Sequence, residues 1–216
     1  ALRLARDCDV VVHNFRPGVM EKLGLGYEDI RAVNPQVVYG AASAFGTKGP
    51  LGDKPGNDIL AQAMSGLMSV TGDGEAPVPA GTAAADSIGA LTLALGIVSA
   101  LVHKERTGAG QALETSLLSG LLATQSWELT LHMMSGELPP KAGRGHTYLL
   151  WQWYTFRTQD GWMAVGGVDP SRWTAFCHAI GRSGLETDPR FDSAVKRIRD
   201  RHELKALLDE HFSTQP

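Results

Sequence analysis

Residues 81–111 read GTAAADSIGALTLALGIVSALVHKERTGAGQ, and the fold turns on what this stretch becomes. A run of small residues, Thr82 to Ala85, leads to one acid, Asp86; an uncharged run from Ile88 to Val102 follows, and HKERTGAGQ ends it. The uncharged run is fifteen residues long, short of the about 20 that cross a bilayer, which predicts a helix buried in a protein core. Asp followed by Ser at the mouth of that helix fits an N-cap, where a carboxylate satisfies free backbone N–H groups at the positive end of the macrodipole. Small neighbours also let a large ligand approach an immobile, ionised carboxylate, and an aspartate can serve as a covalent nucleophile. Position along the chain does not choose between these two roles.

The chain around it has 216 residues, 43% hydrophobic and 20% charged, with a net charge of −3. That describes a globular protein with ample core, as one large domain or parts of two. Mild acidity and the lack of a basic stripe with interleaved aromatics argue against a nucleic-acid partner. The two cysteines, Cys8 and Cys177, lie far apart in sequence; they make no disulfide framework and suit a reducing, cytoplasmic setting. No signal peptide opens the chain, and no membrane partner is expected. Both ends read as cut: an apparent helix begins at Ala1 without a strand before it, and the chain stops just after an amphipathic helix.

Upstream of the central stretch, DVVVH (Asp9 to His13) and VVYGAA (Val37 to Ala42) are short apolar runs, the mark of buried parallel strands. The first leads into NFRPGVMEKLGL, where Pro17 suits the first turn of a helix. Helix N–H groups beside Arg16 and Lys22 would suit an anionic ligand; an ordinary solvated loop fits the same residues. Tyr27 to Val33 is predicted helical up to Asn34-Pro35. The Gly- and Pro-rich segment SAFGTKGPLGDKPGND carries Lys48 and Lys54, and long ordered loops of this kind are often functional. A helix is expected over Asp58 to Met68, with Asp58 as its cap.

Downstream, Leu113 to Met134 reads as a further long helix with an apolar face of Leu117, Leu118, Leu121, Leu122 and Trp127. SGELPPKAGRGH, residues 135–146, reads as a linker or mobile loop. The segments WQWYTFRT and WMAVGG flank Gln159-Asp160-Gly161 as a hairpin, with Trp151, Trp153, Tyr154 and Phe156 read first as hairpin core and second as an apolar pocket wall. Helices follow over Pro170 to Ile180 and Arg201 to Phe212. The expected organisation is a large α/β domain over 1–135, a linker with a glycine-containing loop over 136–146, and a smaller α+β domain over 147–216. No metal site is predicted, because the seven histidines show neither HExxH nor clustered Cys/His spacing. No GxGxxG is present, and Ser119-Gly120 lacks the surroundings of a nucleophile elbow.

Taken in order, NFRPGVMEKLGL, GP followed by GND-ILAQAMSGLMSVTG, the AAADSIGALTLALGIVSALVHKERTGAGQ stretch, QDGWMAVGG and DPRF resemble the class III CoA-transferase family (CaiB/BaiF type). The resemblance runs from about Asp9 to near the C-terminus, and members of that family are nearly twice as long. It implies that Asp86 is the catalytic nucleophile, passing through a mixed anhydride and an aspartyl-CoA thioester as coenzyme A moves from an acyl-CoA to a carboxylic acid. Backbone amides of the small-residue segment would then serve as oxyanion donors. It carries Asn14, Phe15, Arg16 and Lys22 over as contacts for coenzyme A, and places Lys54 and Asn57 in a loop lining the same site. Gly143 and Gly145 correspond to a glycine loop over the active site. No tightly bound cofactor is implied; coenzyme A and acyl-CoA are substrates. The implied fold is a Rossmann-like α/β domain plus a small α+β domain, in a homodimer of interlocked rings when full length.

A related branch, the α-methylacyl-CoA racemases, carries His before the Asp at position 58 and a Glu at the position of Asp169. Asn57 stands here instead of that His, and an amide cannot serve as the titrating base. A third reading is a non-catalytic module that binds coenzyme A without turnover.

Overall fold

The computed structural model describes residues 1–216, the side chain of Leu150 excepted. The chain divides into two compact units, Ala1–Ser69 with Pro77–Leu138, and Val70–Ala76 with Pro139–Pro216.

In the first unit the elements run α1 (Leu2–Ala5), β1 (Val10–His13), α2 (Val19–Lys22), α3 (Tyr27–Val33), β2 (Val38–Ser43), α4 (Asp58–Met64), α5 (Leu67–Val70), α6 (Ala84–Thr107), β3 (Gln111–Ser116), α7 (Leu117–Thr124) and α8 (Ser126–Ser135). The three strands form a parallel sheet in the order β1-β2-β3, with His13 beside Ala41 and Ala41 beside Glu114. This is the α/β architecture expected from the apolar runs of β1 and β2. Strand alternation gives the sheet two faces. One bears Gly40, where an added Cβ would lie 3.1 Å from Ile97 and 3.3 Å from Leu93, so α6 lies directly on the strand. The other bears Tyr39, which packs with buried Ala5, Met20, Ile30 and Val37.

Several expectations change here. The helix predicted from Leu113 to Met134 is a strand, β3, followed by two helices that part at Gln125. Gly110 makes the strand possible: a Cβ there would sit 2.2 Å from the Val37 carbonyl oxygen, so only glycine lets the chain enter alongside β2. The helix predicted over Asp58 to Met68 breaks at Gly66, whose φ of 83° lies in the left-handed region. Pro17 lies ahead of the N-cap of α2, which is Gly18 with φ 81°, and not inside its first turn. The central helix is 24 residues long, Ala84–Thr107, because the charged HKERT segment extends it. By length and composition it could cross a membrane; in this unit Ala85, Gly89, Leu93 and Ala100 are buried in the fold, while Leu91, Leu95, Val98 and Val102 form an exposed apolar stripe.

The second unit is built on β4 (Trp153–Arg157) and β5 (Trp162–Gly166), an antiparallel hairpin running from Trp153↔Gly166 to Arg157↔Trp162. The turn closes through Thr158, whose N–H donates to the Gly161 carbonyl and whose Oγ1 accepts from the Gly161 N–H, each at 3.0 Å. Short 3-10 turns at Leu150–Gln152 and Pro170–Arg172 precede α9 (Trp173–Ala179), α10 (Gly184–Thr187), α11 (Ala194–Arg199) and α12 (Arg201–Ser213). Trp151, Tyr154 and Phe156 join Phe191, Leu204 and Leu208 in its core, whereas Trp153 is exposed. The aromatic run is therefore mainly core.

Candidate active site

Asp86 is the third residue of α6, whose N-cap is Ala83. It is not the cap. The work of capping falls to Asp58, the first residue of α4: its Oδ1 accepts the backbone N–H of Ala85 at 2.7 Å and that of Asp86 at 3.1 Å. Asp58 was expected to cap α4, but Asn57 does that, accepting the Leu60 N–H at 3.3 Å. The other Asp58 oxygen accepts from Gln62 Nε2 at 2.6 Å, and Gln62 Oε1 accepts the Ala80 N–H at 2.8 Å. Gln62 is 1% exposed, beside the wholly buried Ala61, Ala85 and Leu121. With its helix capped from elsewhere, the Asp86 carboxylate is exposed and has no hydrogen-bond or ion-pair partner among the described residues. The Ala85 and Asp86 amides, already engaged, are not free to act as oxyanion donors.

Asp86 lines a cavity of ≈ 510 Å³ with His13, Asn14, Ala42, Ala90 and Leu117. These residues come from the C-terminal ends of β1 and β2 and the starts of α6 and α7, the edge of a parallel sheet where ligands usually bind. The close crossing of α6 and α7 sets the depth of this wall. A Cβ on Gly89 would meet Leu117 at 2.6 Å, and one on Gly120 would meet Ile88 at 2.9 Å.

His13 and Ala42 also line an adjoining cavity of ≈ 430 Å³, with Phe15, Tyr39, Lys48 and Glu114 on its walls. The His13 ring stacks on Phe15, centroids 6.2 Å apart, and meets Tyr39 edge-on at 5.3 Å. Its Nδ1 is buried without a hydrogen-bond partner. Burial holds the imidazole below its usual range, with Glu21 opposing in part, so His13 is neutral at pH 7. Burial, with Glu21 and Asp29, pushes the Tyr39 phenol up to about 12; it stays protonated and donates to the Leu25 carbonyl at 3.0 Å.

Of the residues picked from sequence, Asn14 shares the cavity of Asp86, and Phe15 lies on the wall of its neighbour. Arg16 is exposed in the β1–α2 turn, and Lys22 is exposed as the last residue of α2. Lys54 is exposed and lies 3.7 Å from Asp53, in a loop whose path depends on Gly56, where a Cβ would fall 2.4 Å from Ala44. Asn57 spends its side-chain oxygen on capping. Gly143 and Gly145 are bridged to Gly72 and Tyr154 inside the second unit. Asp169 accepts from the Ser171 and Arg172 amides and from the Ser171 hydroxyl, which lowers its carboxyl below the usual range. Sequence reasoning missed His13 and Gln62 as site residues. The Asp58-to-Gln62 spacing of four, which puts both on one helix face, was the signal available for the second.

Residues 1–216 match the family described as CoA-transferase family III. The acetyl-CoA:oxalate CoA-transferase of Acetobacter aceti is 37% identical over 100% of this chain and 56% of its own length. The succinyl-CoA:glutarate CoA-transferase of Mus musculus is 31% identical over 98% of this chain and 49% of its own. A crystal structure of a CaiB/BaiF family protein from Brucella suis superposes with a TM-score of 0.81 at 30% identity, covering 100% of this chain and 57% of that one. The chain thus spans about half the length of the curated relatives it matches.

Proposed function

Because this chain belongs to CoA-transferase family III, we propose that it moves coenzyme A from an acyl-CoA to a carboxylic acid, with Asp86 as the nucleophile. The observation that carries the reading is the Asp86 carboxylate, exposed and unpartnered in a cavity at the C-terminal edge of the sheet. A carboxylate is already ionised near neutral pH and needs no general base.

The exchange then runs in four balanced steps. Asp86 attacks the thioester carbonyl carbon, the C–S bond breaks, and a mixed anhydride forms with release of the thiolate. The thiolate attacks Asp86 Cγ, expelling the donor's carboxylate and leaving an aspartyl-CoA thioester. The acceptor carboxylate attacks Cγ in turn, again releasing the thiolate and giving a second anhydride. Attack of the thiolate on the acceptor's acyl carbon yields the new acyl-CoA and restores Asp86. Covalent catalysis divides one difficult exchange into easier parts, and the N-terminal end of α6 favours the negative charge that develops at each stage.

Asn14, Phe15, Arg16, Lys22, Lys54 and Asn57 are the proposed contacts for coenzyme A. The stacked Phe15 and the cationic β1–α2 turn support the first four. Gly143 and Gly145 are proposed as the glycine loop that the family resemblance assigns to them. A homodimer is proposed for the full-length protein, supported by the exposed stripe Leu91, Leu95, Val98 and Val102, and a cytoplasmic location accords with soluble substrates.

Hydroxylamine traps activated carboxylates as hydroxamates, so mass spectrometry of full-length protein incubated with an acyl-CoA and hydroxylamine tests the nucleophile. We expect a modification on Asp86 that depends on acyl-CoA. Asp86→Ala should abolish transfer while coenzyme A still binds. Transfer surviving in that variant would remove Asp86 from the chemistry, and exchange of the substrate α-proton with deuterated water in place of trapping would point to a racemase.

A further inference from the structure

We propose that Asp58 and Gln62 position the nucleophile, holding the mouth of α6 so that the Asp86 side chain stays free to react. The inference rests on the reading of Asp86 as the nucleophile.

The N-cap residue of α6, Ala83, has no side chain able to accept a hydrogen bond. The free amides of a helix's first turn are ordinarily taken by the N-cap side chain, while a third-position acid reaches back only to the N–H of the N-cap residue itself. Here two of those amides belong to Asp58, which reaches in from a helix 28 residues earlier for Asp86 and 27 for Ala85. Asp58 thus does the work an N-cap side chain would do, and the Asp86 carboxylate is left without a hydrogen-bond partner among the described residues.

Gln62 completes the device. A buried polar side chain is costly unless its donors and acceptors are satisfied, and this one is satisfied at both ends. It donates to Asp58 at 2.6 Å and to the Thr82 carbonyl at 3.4 Å, and accepts the Ala80 N–H at 2.8 Å. One helix therefore holds the approach segment 80–82 through Gln62 and the first turn of α6 through Asp58. From the other side, the close contacts at Gly89 and Gly120 fix α6 against α7.

Such rigidity suits the chemistry. Asp86 must present an oxygen as nucleophile once and Cγ as electrophile twice in each cycle, and then depart as a carboxylate. A hydrogen bond to the carboxylate would lower its nucleophilicity. Support delivered through the backbone amides fixes the Cα without that cost.

The test uses full-length protein and compares the rate of acyl-CoA-dependent hydroxamate formation on Asp86 with the KM for acyl-CoA. Circular dichroism normalises each rate to the folded fraction. Asp58→Ala should slow trapping by about a hundredfold, the loss expected from roughly 1 Å of misplacement, with KM within about threefold of wild type by the same reasoning. Asp58→Asn keeps an acceptor for the two amides but sets its NH₂ against that of Gln62, and should also be slow. Adding Gln62→Glu restores donor-to-acceptor pairing and should recover most of the rate; a merely structural role would change Tm alone and leave the rate per folded molecule unmoved. Wild-type trapping rates in folded Asp58→Ala, or in folded Asp58→Asn should the alanine variant not fold, overturn the inference while leaving Asp86 as the nucleophile. Absence of any hydroxamate on wild-type Asp86 overturns both.

Discussion

Replacing Gly110 by alanine tests the packing that creates the third strand. A Cβ at this position would lie 2.2 Å from the Val37 carbonyl oxygen, 2.5 Å from the Gln36 carbonyl carbon and 2.7 Å from the Val37 nitrogen. All three are backbone atoms, so no side chain can rotate away. A comfortable C···O approach is about 3.3 Å, which requires the entrance of β3 to retreat by roughly 1 Å. That shift takes the first one or two ladder bonds of the Val38↔Gln111 end out of hydrogen-bonding range, at about 1 kcal/mol each. Overpacking strain adds about 1–3 kcal/mol. Gly110→Ala should therefore destabilise the protein by about 2–5 kcal/mol, a large share of a total stability of about 5–15 kcal/mol. Urea unfolding followed by far-UV circular dichroism reads the loss. The strand delivers Ser116, the N-cap of α7, and Leu117, a wall of the Asp86 cavity, so the proposed trapping on Asp86 should slow as well. A loss of stability below about 1 kcal/mol would refute the reasoning, since it would mean that β3 can stand off from β2 at little cost.

Arg16→Ala should raise the KM for acyl-CoA with a smaller change in kcat, the signature of lost uniform binding; steady-state kinetics giving an unchanged KM would exclude Arg16 from the coenzyme A site. His13, held neutral by burial, binds its proton more readily in the unfolded chain, so its contribution to stability is present above the unfolded value of about 6.5 and is lost as pH falls below it. His211 shifts the same way, so His13→Gln should remove part, not all, of the decline in urea midpoint between pH 7 and 5; an identical pH profile would contradict the burial of the ring. The Cys177 thiol, fully buried and pushed up to about 11 by that burial, should resist a thiol reagent at pH 8 until the protein unfolds, while half-buried Cys8 reacts first; rapid labelling of Cys177 in native protein would count against a closed core in the second unit.

Much of this was legible in the chain. Continuous apolar runs announced β1 and β2, but only β2 begins buried; β1 is half-buried and its Val12 is exposed. Aromatic alternation around Gln159-Asp160-Gly161 announced the hairpin. The ordered set of motifs from NFRPG to DPRF pointed to the family. QALETS, by contrast, passes as the start of a helix, because leucines follow it and a six-residue strand offers few periods to count. Only the glycine before it, pressed against the Val37 carbonyl, reveals the pairing.

The sequence by itself determined that one acid, Asp86, stands among alanines at the head of an apolar helix. The tertiary structure decided what that acid is free to do. Local reading leaves Asp86 open to two roles, helix cap or nucleophile, whereas the folded helix starts at Ala84 with Ala83 in the cap position. In the folded chain Asp58 takes the capping task from 28 positions away, and Gln62 binds that substitute in place. A helix N-terminus accepts whichever oxygen the fold brings within about 3 Å, and spatial proximity between distant segments is a property of packing that no local pattern encodes.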